Sequence, residues 1–225
     1  MSAPISVVIP TLNSAKSLPA TLLSLMEGLD AGLICEVVVT DGGSTDASGA
    51  IAMAWGAEVM TGAASRGGQL RRGVAATRGA WVMVLHADTN LQEGWAEQVK
   101  ARMEQGPLYF SLAFRARGLA PWWVAAWANL RSDVFALPYG DQGLLLHRRD
   151  YDRAGGYPDQ PLMEVVALMR SLKRKIRRLP ARAFTGADKY QQQGWLRRGT
   201  KNLGLLLRYL LGASPEDLAR WYHGT

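Results

Sequence analysis

Four short apolar runs in the first hundred residues, separated by stretches with helical spacing, constrain this chain more than any other feature. The runs are Ile5 to Pro10 (ISVVIP), Glu36 to Thr40 (EVVVT), Glu58 to Met60 (EVM) and Trp81 to Leu85 (WVMVL). Continuous apolar strands between helices indicate a parallel sheet covered on both faces. The intervening helices read as Ser17 to Leu29, with Ser17 as N-cap, then Ala47 to Trp55 and Gln69 to Ala76. The expected class is α/β, with a mostly parallel sheet flanked by helices.

Beyond Gln105 the pattern loosens. Leu108 to Arg115 alternates like a strand, and Pro121 to Leu137 reads as a helix carrying Trp122, Trp123 and Trp127. Gly140 to His147 gives a further strand after a turn. Leu162 to Arg174 and Leu203 to Leu211 read as helices, and Ser214 followed by Pro215 caps a last one. No repeat or low-complexity linker divides the 225 residues, so one domain with a helical C-terminal extension is expected.

The single cysteine, Cys35, excludes an internal disulfide framework and an all-cysteine metal site, and it reads as a buried, inert thiol. The N-terminal residues read as a strand rather than a signal peptide, and no apolar stretch is long enough to span a bilayer. A reducing, cytoplasmic location is expected, with contact at the inner membrane face as an option. That option comes from the charge. The net charge of +7 concentrates in Arg170 to Arg178 (RSLKRKIRR), followed by Arg197, Arg198 and Lys201. Such a run is either a solvated helix face or a surface attracted to phospholipid or phosphorylated substrate. Nucleic acid is not an expected partner, because no recognition motif accompanies the charge.

Ligands of an open parallel sheet bind beyond the carboxyl ends of the strands. Three of the four early strands end there in polar loops: Pro10, Thr11 and Asn13; Asp41 with Gly42 and Gly43; and His86, Ala87 and Asp88. The glycines permit close backbone approach to a ligand. No Gly-x-Gly-x-x-Gly follows the first strand and no phosphate loop ends in Gly-Lys-Ser/Thr, so dinucleotide and P-loop folds are disfavoured. An acidic strand exit beside a pyrophosphate needs a divalent cation, and oxygen ligands suit Mg²⁺ or Mn²⁺.

The segments VVIPTLN, VVVTDGGSTD and LHADT resemble the family 2 glycosyltransferases, which have the GT-A fold. The segments ASRGGQLRRG, PYGDQG, GGYPDQPLME and SPEDLARWY are similar to a small bacterial subgroup with a His-Ala-Asp-Thr motif. The resemblance implies a nucleotide-sugar-binding half over residues 1–105, and an acceptor half with a helical tail over 106–225. It also implies a nucleotide-diphosphate sugar donor, UDP-linked by preference, and an inverting transfer to an unidentified small-molecule or lipid acceptor. Pro10 and Thr11 would line the nucleoside pocket, and Asp41 would hydrogen-bond the base. Arg66 and Gln69 would border the nucleotide, and Asp88 would hold the metal. His86 stands where the family's first metal-motif Asp would be; it would contact ribose or metal, or serve structure.

The family's base is the Asp of a Glu-Asp pair, and the matching stretch here places Val165 after Glu164. Glu164 or Asp141 would then take the acceptor proton, or the protein binds donor without efficient transfer; Glu164 reads equally well as a helix-start carboxylate. Lys189, Trp195, Arg197 and Arg198 would contact diphosphate or acceptor, or cover a helix. The Trp122, Trp123 and Trp127 cluster has three readings: core packing, which is the default, a helix resting on a bilayer, or an acceptor-facing wall.

Overall fold

The computed structural model describes residues 3–223. Its eight strands are β1 (Ile5–Thr11), β2 (Ile34–Asp41), β3 (Glu58–Thr61), β4 (Trp81–Val84), β5 (Thr89–Leu91), β6 (Leu108–Phe114), β7 (Leu144–His147) and β8 (Arg177–Thr185). They form one sheet in the order β3-β2-β1-β4-β7-β6-β8-β5. β1 to β4 are mutually parallel, β6 and β8 run the same way, and β7 and β5 run against them. The sheet is therefore mostly parallel, as the apolar runs predict.

Ten helices flank it. They are α1 (Leu18–Asp30), α2 (Ser48–Ala54), α3 (Arg66–Ala76), α4 (Trp95–Arg102), α5 (Leu119–Phe135), α6 (Arg148–Arg153), α7 (Glu164–Ser171), α8 (Asp188–Gln193), α9 (Trp195–Leu210) and α10 (Pro215–His223). Among the described residues no helix is long and apolar enough to cross a membrane. β1 shows why its strand is continuously apolar. Ile5, Val7 and Ile9 join the core that contains Leu18, Leu22 and Trp95, while Val8 joins the opposite core with Leu70, Val74 and Leu144. Each side of the pleat meets a helical layer, so a polar residue on either side would be buried.

Of the two caps expected from the sequence, Ser214 forms and Ser17 does not, and Ser65 provides a cap that was not expected. Ser65 accepts from the Gly68 amide at the start of α3, and Ser214 accepts from the Asp217 amide at the start of α10. Ser17 occupies the N-cap of α1, but its hydroxyl donates to the Ser14 carbonyl instead of capping.

Several expectations are corrected. The basic block is not a helix face: Arg170 ends α7, a turn follows, and Arg177 and Arg178 open β8. The helix expected over 162–174 is thus only Glu164–Ser171. β8 buries Leu179, Ala181 and Ala183 and turns its arginines outward. Its register against β6 jumps from Phe110↔Leu179 to Ser111↔Arg182, so Pro180 sits at an irregularity where its missing N–H costs no ladder bond. The Trp122, Trp123 and Trp127 side chains do not pack the core; they are 61%, 65% and 54% exposed. Cys35 is half-buried rather than fully enclosed, its Sγ directed at the Ile5 carbonyl at 3.2 Å.

Candidate functional site

The carboxyl ends of β1, β2 and β4 meet along one edge, because the three strands are adjacent and parallel. At the exit of β2, Asp41 is buried, and its carboxylate accepts from Thr11 Oγ1 at 2.9 Å, the Gly43 amide at 2.9 Å, and the Ser44 amide and hydroxyl at 2.7 and 2.5 Å. Burial pushes this carboxyl up, but the bonds from Ser44, Thr11 and Gly43 outweigh it and hold the group below the ordinary aspartate range. Gly43 needs to be glycine for this, since it lies at φ +90°. Asn13, at φ 50°, accepts the Thr45 amide on its side-chain oxygen at 2.9 Å. Gln69 braces the same corner: its amide donates to the Thr11 and Thr40 carbonyls at 2.9 and 2.7 Å. Pro10 lies half-buried in register with Thr40. An open cleft of about 390 Å³ adjoins them, lined by Asp41, Gly43, Ser44, Asp46, Met53 and Thr61.

At the exit of β4, the buried Ala87 anchors the loop by accepting the Thr21 hydroxyl on its carbonyl at 3.0 Å. His86 and Asp88, on either side, are half-buried. Burial, then the nearby Arg66 and Lys189 charges, hold His86 well below the usual histidine range, so the imidazole is neutral at pH 7. The turn that carries Asp141 is pressed against this ring: a Cβ on Gly140 would lie 2.4 Å from His86 Nε2. Asp141 is the least satisfied acid of the site. Its Oδ1 is closed to solvent and has no hydrogen-bond partner. Burial pushes its pKa up; Arg131 pulls it back, Asp88 pushes it further, and Arg66 opposes, leaving it at about 6.

Arg66 and Glu164 come together at the start of α3, with Arg66 Nε 4.0 Å from Glu164 Oε1. The glycines of ASRGGQ explain how. The Gly67 amide donates to the Gln160 carbonyl at 3.1 Å, and a Cβ on Gly67 would meet the Pro158 carbonyl at 2.0 Å. Ser65 donates to Asp159 at 2.6 Å, so the loop before α7 lies directly on the α3 terminus. Glu164 is only 3% exposed; burial pushes its carboxyl up and Arg66 pulls it down, with a net rise. Val165 is packed in the apolar cluster with Leu70, Tyr157 and Val166.

Three residues of this region escape sequence reading. Arg131, on α5, is buried with its guanidinium 3.5 Å from the centroid of the Tyr139 ring. Tyr190 is pushed up to about 12, by burial first and then by the Asp141 charge. Arg115 donates to Asn90 beside the β5–β8 edge, and approaches Gly186 together with Asp88. The one available signal was Arg131, the lone cation in an otherwise apolar helical run. Of the later residues, Lys189 lies near His86, and Trp195 stacks on Tyr190 at 5.0 Å. Arg198 is buried and bonded to Gln193 and Tyr222, whereas Arg197 is exposed on α9. Among the described residues, no three His, Cys, Asp or Glu side chains converge as a metal cage.

Residues 6–175 match the model of the family described as Glycosyl transferase family 2. The chain belongs to that family. This glycosyltransferase also shares its fold with solved enzymes of the GT-A type. Glucosyl-3-phosphoglycerate synthase from Mycobacterium tuberculosis, in complex with Mn²⁺, UDP and glucosyl-3-phosphoglycerate, is 22% identical, with 81% of this chain and 70% of that chain covered and a TM-score of 0.58. Residues 1–349 of TarS from S. aureus are 15% identical, covering 97% of this chain and 68% of that one, with a TM-score of 0.64. At such identities the likeness is one of fold. No curated protein matches the sequence.

Proposed function

We propose that this enzyme transfers a sugar from a nucleotide-diphosphate donor, UDP-linked by preference, to a small-molecule or lipid acceptor with inversion, Asp141 acting as base. The observation that carries this reading is the unmet Asp141 carboxylate oxygen beside Asp88 at the strand exits, flanked by the Arg66 and Arg131 charges. The Asp88 carboxylate, which the Asp141 charge repels, fits a hard divalent cation whose charge would relieve that repulsion and leave Asp141 free to take a proton. Asp88 would hold Mg²⁺ or Mn²⁺, which when bound would neutralise charge on the departing diphosphate. The solved synthase bound to Mn²⁺ and UDP lends support to that cofactor and donor class.

Thr11, Asp41 and Gly43 would shape the nucleoside pocket, with Pro10, Asn13 and Gln69 setting its wall. The neutral His86 and the backbone at Ala87 would flank the ribose and diphosphate, and Arg66 would face the phosphates. In the transfer, Asp141 takes the acceptor hydroxyl proton and the acceptor oxygen bonds to the anomeric carbon. The bond from that carbon to the diphosphate oxygen breaks, and nucleoside diphosphate leaves. Glu164, buried against Arg66, orients that guanidinium instead of removing the proton. Val165 packs in the core, so the apolar residue at the family's base position is consistent with transfer through Asp141. Residues 1–105 serve the donor and 106–225 the acceptor, and the acceptor half is the part that would meet an inner membrane face.

The test is thermal shift with UDP and UDP-sugars, with and without Mn²⁺, followed by turnover with water or added acceptors. We expect metal-dependent stabilisation by UDP that Asp88→Asn removes, and hydrolysis or transfer giving inverted product. Metal-dependent UDP binding with no turnover of any UDP-sugar would reduce the chain to a donor-binding protein. A retained anomeric configuration would exclude the direct displacement.

A further inference from the structure

An uncovered apolar surface lies on α5, outside the donor cleft. Leu119, Trp123, Trp127, Leu130 and Val134 follow one another at spacings of four, four, three and four, which puts them in one stripe along a helix of roughly 25 Å. All five are more than half exposed. Trp122 and Phe135 flank the stripe, at 61% and 65% exposure. The helix carries only two charges, and neither disturbs the stripe. Arg131 is buried against Tyr139, and Asp133 pairs with Arg178 at 3.1 Å and accepts a hydrogen bond from the Tyr109 hydroxyl at 2.5 Å.

Basic groups border the same helix. An open groove of about 1030 Å³ runs beside it, and Arg102, Arg178 and Arg182 line it with Trp122 and Leu130. Arg115 and Arg117, both exposed, immediately precede α5. Aromatic side chains with one polar atom partition to the headgroup level, and arginines beside them meet lipid phosphates. The pattern favours an anionic bilayer over a second copy of the chain, because a face bordered by Arg102, Arg117 and Arg182, with Arg178 already paired to Asp133, keeps a net positive charge that repels its own kind.

We infer that α5 is a membrane-docking helix: its apolar stripe enters the interfacial zone of an anionic bilayer, and Arg102 and Arg182 take lipid phosphate oxygens in the adjoining groove. Glycosyl transfer does not enter this inference, since vesicle binding needs neither donor nor metal.

The full chain is mixed with neutral phosphatidylcholine vesicles and with vesicles containing phosphatidylglycerol, and bound protein is measured by flotation. Binding to the anionic vesicles should exceed binding to neutral ones roughly tenfold or more, and should weaken with added salt. Trp123→Ala/Trp127→Ala/Leu130→Ala and, separately, Arg102→Gln/Arg182→Gln should each lower it roughly tenfold. The substituted side chains are largely outside the core, so an unchanged melting temperature verifies the fold of both variants. No vesicle binding, equal binding to both lipids, or binding untouched by both variants overturns the inference. So does a dimer in light scattering that the triple variant splits while vesicle binding is absent, which would assign the stripe to self-association.

Discussion

The exit of β2 and the turn before β7 each hold an aspartate, yet they are built in opposite ways. Asp41 receives four hydrogen bonds from Thr11, Gly43 and Ser44, and is held as a carboxylate. Asp141 has an oxygen with no partner and is pushed towards its neutral form. A satisfied carboxylate shapes a pocket and keeps its place. An unsatisfied one in the turn that enters a strand stores an electrostatic demand that a proton, a cation or a substrate hydroxyl can meet. On the proposed assignment, the donor side would be pre-organised and the acceptor side would be completed by its ligand.

The strongest way to break this contrast is Asp141→Asn. With UDP-sugar and acceptor at saturation, kcat should fall by roughly 10²–10⁴ if Asp141 is the base, while UDP-induced stabilisation is retained. Glu164→Gln should act mainly through KM for the donor, by loosening Arg66. If Glu164→Gln suffers the greater loss in kcat, the two roles are exchanged.

Asp41→Ala should act on the fold. It strands the Thr11 hydroxyl and the Gly43 and Ser44 amides, so chemical denaturation should show a loss of about 2–3 kcal/mol.

The smallest effect is the sharpest comparison, because the two aspartates should give pH dependences of opposite sign. The folded pKa of Asp141 lies above its unfolded value, so its contribution is full below pH ~4 and is lost as pH rises through about 6. In the metal-free protein, wild type should therefore lose stability relative to Asp141→Asn over that window. The loss is on the order of 1–2 kcal/mol after allowing for solvent screening. Asp41 has a lowered pKa, so its contribution is present above its unfolded value and disappears as pH falls through the folded one. Comparing Asp41→Asn with wild type during acid unfolding checks that sign.

Sequence reading succeeded where burial was two-sided and failed where the signal was one-sided or short. β1, β2 and β4 are legible because both faces are apolar. β8 escaped because its buried face is largely leucine and alanine, and its outer face is arginine, so the segment reads as charge. β5 has only three residues, and α4 lacks a flanking helical signal strong enough to name. The strand-exit residues were legible from the order of three motifs. Their individual tasks were not, because the bracing of Gln69 and the isolation of Asp141 depend on groups 29 or more residues away, or on missing partners. The Trp cluster was misjudged because helical spacing says which residues share a face, not whether anything covers it.

The contact of Gly140 with His86 has a consequence for anyone redesigning acceptor choice. Because no side chain fits between the turn and the imidazole, a loop transplanted from a relative keeps its pose only if it brings a glycine to position 140. With any larger residue there, the graft displaces the His86 ring at the exit of β4. On the proposed assignment the two specificities would be a linked pair, and variation directed at one should be selected with the other held under test.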